Sequence, residues 1–97
     1  MIHFEQKHRT ILAYLKAYNA LDIPGMLRCL HHEVLFENYA GQQRTLRLEG
    51  IKAFENQAHT ALAFFSEREQ VPSNWRFEED SVCIDVHFRA TPSLDFP

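Results

Sequence analysis

The chain has 97 residues, a net charge of −3 and a 45% hydrophobic share that includes eight Phe, three Tyr and one Trp. This length and composition support one domain with a sizeable core and argue against disorder. The weak negative charge, without a basic run, excludes electrostatic binding of nucleic acid. No segment reaches membrane-spanning length, and Met1–Lys7 lacks an apolar signal core. We therefore expect a single cytoplasmic domain over residues 1–97 that binds neither a membrane nor nucleic acid.

Two helices joined by a corner are predicted for the first third of the chain. Between Phe4 and Ala20 the apolar residues recur at helical spacing and form one face. Asp22 follows as the N-cap of a second helix, with Pro24 in its first turn, where the missing N–H has no cost. We expect this second helix to run to about Leu30.

The middle of the chain is predicted to contain a strand and a third helix. Val34–Tyr39 has the pattern of a strand, and after the turn at Gly41 a short strand fits Thr45–Glu49. Gly50 then opens a helix whose apolar stripe extends over Ile51–Phe65, the clearest helical period in the sequence. On the Val34–Tyr39 strand, the residues on one side are Val34, Phe36 and Asn38.

The last third is predicted to be a twisted β-hairpin. Glu67–Glu78 forms the first strand, and Pro72 favours an edge position or a bulge near its start. Ser81–Thr91 alternates almost perfectly, which indicates a strand with one face on the core. Helices followed by antiparallel strands predict an α+β fold, with about half of the chain helical. The apolar sides comprise Val71, Trp75 and Phe77 on the first strand and Val82, Ile84, Val86, Phe88 and Ala90 on the second; Cys83, Asp85, His87 and Arg89 form the polar side of the second.

Three short motifs in the chain resemble those of the nuclear-transport-factor-2-like superfamily. They are the corner Tyr18-Asn19-Ala20-x-Asp22-x-x-Gly25, the strand Leu30…Val34-x-Phe36-Glu37-Asn38 and the helix start Glu49-Gly50-Ile51-x-Ala53-Phe54. Relatives in that superfamily include the snoaL-like polyketide cyclases and the ketosteroid isomerases. The resemblance implies a cystatin-like curved antiparallel sheet, wrapped around N-terminal helices in α-α-β-α-β-β order and enclosing an apolar pocket.

The resemblance also bears on assembly. Chains of this superfamily usually carry two further strands beyond the position of Phe96-Pro97, so an incomplete cone is expected. Many members dimerise. Because exposed sheet edges and apolar surface are unfavourable in a free monomer, we expect a homodimer formed through the sheet.

Two polar residues correspond to catalytic positions of the ketosteroid isomerases. Tyr14 stands five positions before Asn19, where those enzymes hold the tyrosine that donates to the substrate's oxyanion. Asn38 stands where they hold the aspartate that abstracts a proton. A carboxamide has no proton-accepting state near neutral pH, so isomerase activity of that type is not expected. Asn38 still offers a donor and acceptors to a ligand, or it simply caps the strand end.

A concave pocket is predicted between the first helix and the first strand. Its apolar walls and few polar groups would suit a small apolar molecule with a carbonyl or hydroxyl group. An alternative interpretation of the same residues is ordinary core packing with hydroxyls at the rim. The predicted lining residues are Tyr14, Tyr18, Phe36, Asn38, Phe54 and Trp75.

Other titratable residues carry weaker signals. His87 and Asp85 are spaced as a pair for proton transfer, or they belong to a solvated or dimer-facing sheet surface. The adjacent rings of His31 and His32 are expected to diverge, so neither a metal site nor a cofactor is expected. Three function classes stay open: a ligand-binding domain, which the pattern favours; a cyclase, isomerase or dehydratase acting on an apolar carbonyl compound; and a dimerisation scaffold whose pocket is filled by its own side chains.

Overall fold

The computed structural model describes residues 2–93, with the side chains of residues 4–93. The fold is α+β, with helices and antiparallel strands, which confirms the predicted class. No helix of the described part is long and apolar enough to cross a membrane. The expectation about strands beyond Phe96 and Pro97 lies outside the described residues. In chain order the elements are α1 (Ile2–Asn19), α2 (Ile23–Leu27), β1 (Leu35–Ala40), β2 (Gln43–Glu49), α3 (Ile51–Leu62), β3 (Phe65–Phe77) and β4 (Val82–Pro92).

The strands of the described part form two antiparallel hairpins. β1 pairs with β2 and places Phe36 opposite Leu48, and β3 pairs with β4 over a longer stretch. Helix α3 connects the two hairpins along the chain. The short strand predicted over Thr45–Glu49 is present as β2, which the α-α-β-α-β-β series did not count.

The corner between α1 and α2 is built as the sequence predicted. The side chain of Asp22 caps α2, since its Oδ1 accepts a hydrogen bond of 3.1 Å from the backbone N–H of Gly25. A Cβ at Gly25 would lie 2.4 Å from Oδ2 of Asp22 and 2.9 Å from the Cβ of Ala17. The glycine of the corner motif is therefore required by the closeness of α1 and of the cap.

Two helices end earlier in the chain than the sequence predicted. The second helix stops at Leu27 rather than Leu30, and the third stops at Leu62 rather than Phe65. In both cases the following N–H groups bond to carbonyls three residues back, which tightens and ends the helix. Phe65 instead pairs with Pro92 as the first residue of β3. Because the helices are shorter, strands occupy at least as much of the described chain as helices, and the expectation that half is helical was wrong.

A β-bulge in β3 changes which residues share a face. Ser73 lies opposite Asp85 and Arg76 opposite Cys83, so β3 holds one extra residue between these pairs. Val71 lies opposite His87, on the outer face of the hairpin, whereas Phe77 lies opposite Val82 on the inner face. The prediction that Val71, Trp75 and Phe77 share one side was therefore wrong for Val71, which is 43% exposed. Of the two alternatives that Pro72 suggested, an edge position or a bulge near the start of the strand, a bulge does occur beside Pro72, but it lies between Ser73 and Arg76, in the second half of β3.

The core lies between the three helices. Buried apolar residues of α1, α2 and α3 pack together, and Phe36 of β1 and Leu48 of β2 pack against them; the members of this cluster are Ala17, Ile23, Met26, Phe54 and Ala58. Asn19 attaches β3 to the end of α1, because its side chain donates to the carbonyl oxygen of Gln70 at 3.2 Å and accepts from the same residue's N–H at 2.7 Å. The buried apolar set is Leu15, Ala17, Ile23, Met26, Phe54 and Ala58.

Candidate functional site

Four aromatic side chains from three elements meet beside the helical core. Tyr14 and Tyr18 lie one turn apart on α1, Phe54 lies on α3 and Phe36 lies on β1. The ring centroid of Tyr14 is 6.4 Å from that of Tyr18 and 6.4 Å from that of Phe54. Phe36 and Phe54 meet edge to face at 5.2 Å. We call these four residues the aromatic cluster, and all four belong to the predicted pocket set.

The hydroxyl of Tyr14 is unusual within the aromatic cluster. It has no hydrogen-bond partner among the described residues, and its oxygen is not sealed from the surface. Burial raises the pKa of Tyr14 to about 12, with a further increase from Tyr18 and a partial decrease from Arg68. The group is therefore protonated at neutral pH and is available as a donor.

Arg68 of β3 lies directly against the aromatic cluster. The residue is 6% exposed, and its guanidinium carbon stands 3.7 Å from the centroid of the Tyr18 ring, a close cation–π contact. Its Nε donates to the backbone carbonyl of Tyr18 at 3.0 Å, and Nη2 approaches the sulfur of Met26 at 3.7 Å. No carboxylate within the described residues is close enough to form an ion pair with it.

A groove of about 770 Å³ opens next to this arginine. It lies between the end of α1 and the paired segments of β3 and β4 that face it, and Arg68 contributes to its lining. Glu67, Glu69 and Arg89 line it as well, with Glu69 and Arg89 joined in an ion pair. None of the six predicted pocket residues lines this groove, which adjoins the aromatic cluster through Arg68.

The structure does not bring Asn38 and Trp75 to the aromatic cluster. Asn38 is exposed on β1, where its carbonyl oxygen accepts a hydrogen bond from Thr45. Trp75 packs edge to face on His8 with the ring centroids 4.4 Å apart. Because an α-helix rises 1.5 Å per residue, His8 lies roughly 9 Å along α1 from Tyr14. Trp75 therefore belongs to a second aromatic group near the start of α1.

His87 and Asp85 lie on the outer face of the β3–β4 hairpin. His87 is exposed, and Asp85 accepts hydrogen bonds from Asn74 at 3.0 Å and from Arg76 at 3.2 Å. The bond from Asn74, and then that from Arg76, holds the pKa of the Asp85 carboxyl below its ordinary value. Both residues occupy the face opposite the one that packs toward α1, so they do not reach the aromatic cluster.

The two adjacent histidines do not diverge as expected. The rings of His31 and His32 stack with their centroids 4.2 Å apart, because Nδ1 of His31 accepts the N–H of Glu33 at 3.0 Å and fixes that ring. Ligand atoms of these three residues lie within 4.8 Å of one another, and all three residues are exposed. One ring nitrogen of this group is thus already engaged by the backbone.

Arg68 is the site residue that sequence reasoning missed. Strict alternation from Val71 through Phe77 assigns Arg68 to the outer face, together with Arg76. The bulge after Pro72 reverses that assignment and aligns Arg68 with Gln70, Trp75 and Phe77. Pro72 was the feature of the sequence that could have predicted this position, since a bulge beside the proline puts Arg68 on the inner face.

The comparisons with known proteins agree with the fold. A family model described as the SnoaL-like domain matches residues 11–96. No curated protein and no solved structure matches the chain significantly. SnoaL-like domains form a family of ligand-binding or isomerase- and cyclase-type domains that bind small molecules and often dimerise. With the corner, the α+β fold and a match over nearly its whole length, this chain belongs to the SnoaL-like domain family of the nuclear-transport-factor-2-like superfamily.

Proposed function

We propose that residues 1–97 form a single small-molecule-binding domain whose ligand is an apolar molecule with a carbonyl or hydroxyl oxygen. The observation that carries the proposal is the Tyr14 hydroxyl, a protonated donor without a partner among the described residues. A ligand oxygen that accepts from this hydroxyl satisfies it, and the apolar skeleton then lies against Phe36 and Phe54. Such sites combine apolar walls with a few placed polar groups.

Binding, rather than proton abstraction, is the function that this chemistry favours. Within residues 4–93, the titratable groups that act on the Tyr14 hydroxyl are Tyr18, Arg68 and Cys29. None of them is a carboxylate or an imidazole, the usual bases of enolising enzymes. Asn38, at the position of the family's base, is a carboxamide. We therefore rank a cyclase or isomerase activity below ligand binding.

Calorimetric titration with benzylacetone, a small apolar methyl ketone, tests the proposal. We expect saturable binding with one site per chain. Tyr14→Phe keeps the ring and removes one neutral donor, which weakens binding by about 0.5–1.5 kcal/mol, or roughly two- to tenfold. Tyr39→Phe is the matched control, because Tyr39 is 58% exposed on β1. Absence of saturable binding, or equal losses in the two variants, contradicts the proposal.

We also propose that the domain is a homodimer formed through the β3–β4 hairpin. The solvent-accessible surface of the chain is 7227 Å², whereas that of a compact monomeric protein of 11.4 kDa is about 5,800 Å². The excess is larger than the roughly 800 Å² that each partner contributes to a standard interface. Val86 and Phe88, on the apolar side of β4, are 41% and 47% exposed and supply an apolar surface for a second copy.

A further inference from the structure

Arg68 carries a buried positive charge that no residue of the described chain neutralises. It is the one charged side chain classed as buried in that part of the protein, at 6% exposure. A guanidinium does not lose its proton in proteins, so the charge persists at every accessible pH. Burying a charge without an ionic partner is unfavourable, and natural proteins generally pair such groups. The contacts with the Tyr18 ring and carbonyl compensate for part of this cost.

The remaining donors of Arg68 are positioned for an incoming acceptor. Nε and Nη2 are engaged by Tyr18 and Met26, whereas Nη1 has no partner among the described residues and is not sealed from the surface. The Tyr14 hydroxyl is close enough for the Arg68 charge to influence its ionisation. Two donors without a partner among the described residues, Nη1 of Arg68 and the Tyr14 hydroxyl, are therefore accessible to an acceptor at this site.

The surroundings of Arg68 favour one kind of anion. The aromatic cluster adjoins it on one side, which suits a ligand with an apolar skeleton. Glu67 and Glu69 line the groove on the other side, and their negative charges oppose a doubly charged phosphate group. A singly charged carboxylate pairs well with a guanidinium and suffers less from this repulsion.

We propose that the ligand of this site is a small carboxylic acid whose carboxylate pairs with Arg68 while its apolar skeleton lies against the aromatic cluster. The inference rests on the proposed function, because it requires that an apolar molecule binds there, and it adds the charge of the ligand's polar group.

Three probes with nearly the same skeleton distinguish the proposed binding of an apolar molecule from the inferred preference for a carboxylate. Hydrocinnamate carries a carboxylate, hydrocinnamamide a neutral amide of the same shape, and benzylacetone a methyl ketone. Because a charge-assisted hydrogen bond is roughly twice as strong as a neutral one, we expect hydrocinnamate to bind about five- to tenfold tighter than hydrocinnamamide in calorimetry. Equal or weaker binding of hydrocinnamate overturns the inference and leaves the proposed function standing. If none of the three probes binds saturably, the proposed function itself is contradicted.

Two variants test whether Arg68 is responsible for the preference for hydrocinnamate over hydrocinnamamide. We expect Arg68→Gln to bring the affinity ratio of hydrocinnamate to hydrocinnamamide close to one while benzylacetone still binds. Arg89→Gln, the matched control at the same groove, keeps the ratio of the wild type. A ratio that survives Arg68→Gln, or that disappears in Arg89→Gln, overturns the inference.

A second measurement needs no substitution and covers the case in which Arg68→Gln does not fold. The Nε proton of Arg68 is held by the Tyr18 carbonyl, so its side-chain resonance is protected from solvent exchange. We expect hydrocinnamate to shift this resonance saturably and hydrocinnamamide to leave it nearly unchanged. A resonance that responds equally to both probes, or to neither, overturns the inference.

Discussion

Replacing Tyr14 by Phe tests whether the hydroxyl lies in a half-buried, unpaired position. Near neutral pH the substitution removes no hydrogen bond to the described residues and keeps the ring in the aromatic cluster. We therefore expect the free energy of unfolding to change by less than about 0.5 kcal/mol near pH 8. A larger loss would mean that the hydroxyl has a structural partner.

The alkaline range gives the more demanding test. Burial raises the pKa of Tyr14 to about 12 in the folded state, above its ordinary value of 10.0. A raised pKa contributes stability that is fully present below the unfolded-state pKa and is lost as the pH rises through the folded-state pKa. Between about pH 8 and pH 11 the free energy of unfolding should thus fall by roughly 1 kcal/mol more in the wild type than in Tyr14→Phe. This value is reduced to account for the partial solvent exposure of the Tyr14 hydroxyl.

Urea unfolding of both proteins near pH 8 and near pH 11 measures this difference. Tyr39→Phe serves as the control, since it removes an exposed hydroxyl and should follow the wild type at both pH values. At about pH 11 the tyrosinate absorbance of folded Tyr14→Phe should nearly equal that of the folded wild type, because the Tyr14 hydroxyl is still mostly protonated there. Parallel losses of stability in the wild type and Tyr14→Phe would refute the buried-hydroxyl account.

Three further outcomes follow from contacts elsewhere in the fold. Gly25→Ala should lower the unfolding free energy by about 1–3 kcal/mol in urea titration, because the new Cβ meets the N-cap and α1; an unchanged midpoint would mean that the corner relaxes freely. Asn19→Ala should cost about 1–3 kcal/mol and increase hydrogen exchange at the start of β3, since it removes both bonds to Gln70; unchanged exchange would show that β3 is held by other contacts. Phe88→Glu should convert a dimer to a monomer in sedimentation, whereas His87→Glu on the outer face should not; a wild-type monomer at micromolar concentration contradicts the proposed interface.

The sequence predicted the helical part of the aromatic cluster well. Tyr14 and Tyr18 fall on the apolar face of α1, and Phe54 falls in the stripe of α3, so the helical period alone assigns them to the core side. Asp22 and Gly25 mark the corner by chemistry that is local to a few residues. Local signals of this kind are readable without knowledge of the tertiary structure.

The strand side of the site was less predictable. A single extra residue after Pro72 exchanges the two faces of β3, so the burial of Arg68 depends on a bulge whose exact position the pattern does not fix. Asn38 and Trp75 were assigned to the pocket by facing direction, whereas contact also requires matching positions along α1. Periodicity specifies a face, but it does not specify the distance along that face.

The central claim is that a small apolar molecule binds against the aromatic cluster with its polar atom at Tyr14. Aromatic-ring NMR spectra recorded during a titration with benzylacetone test it most directly. We expect the ring resonances of Tyr14 and Phe54 to shift saturably, with the dissociation constant found by calorimetry. Binding that leaves both rings unperturbed, or that shifts only Trp75 and Phe77, would contradict it.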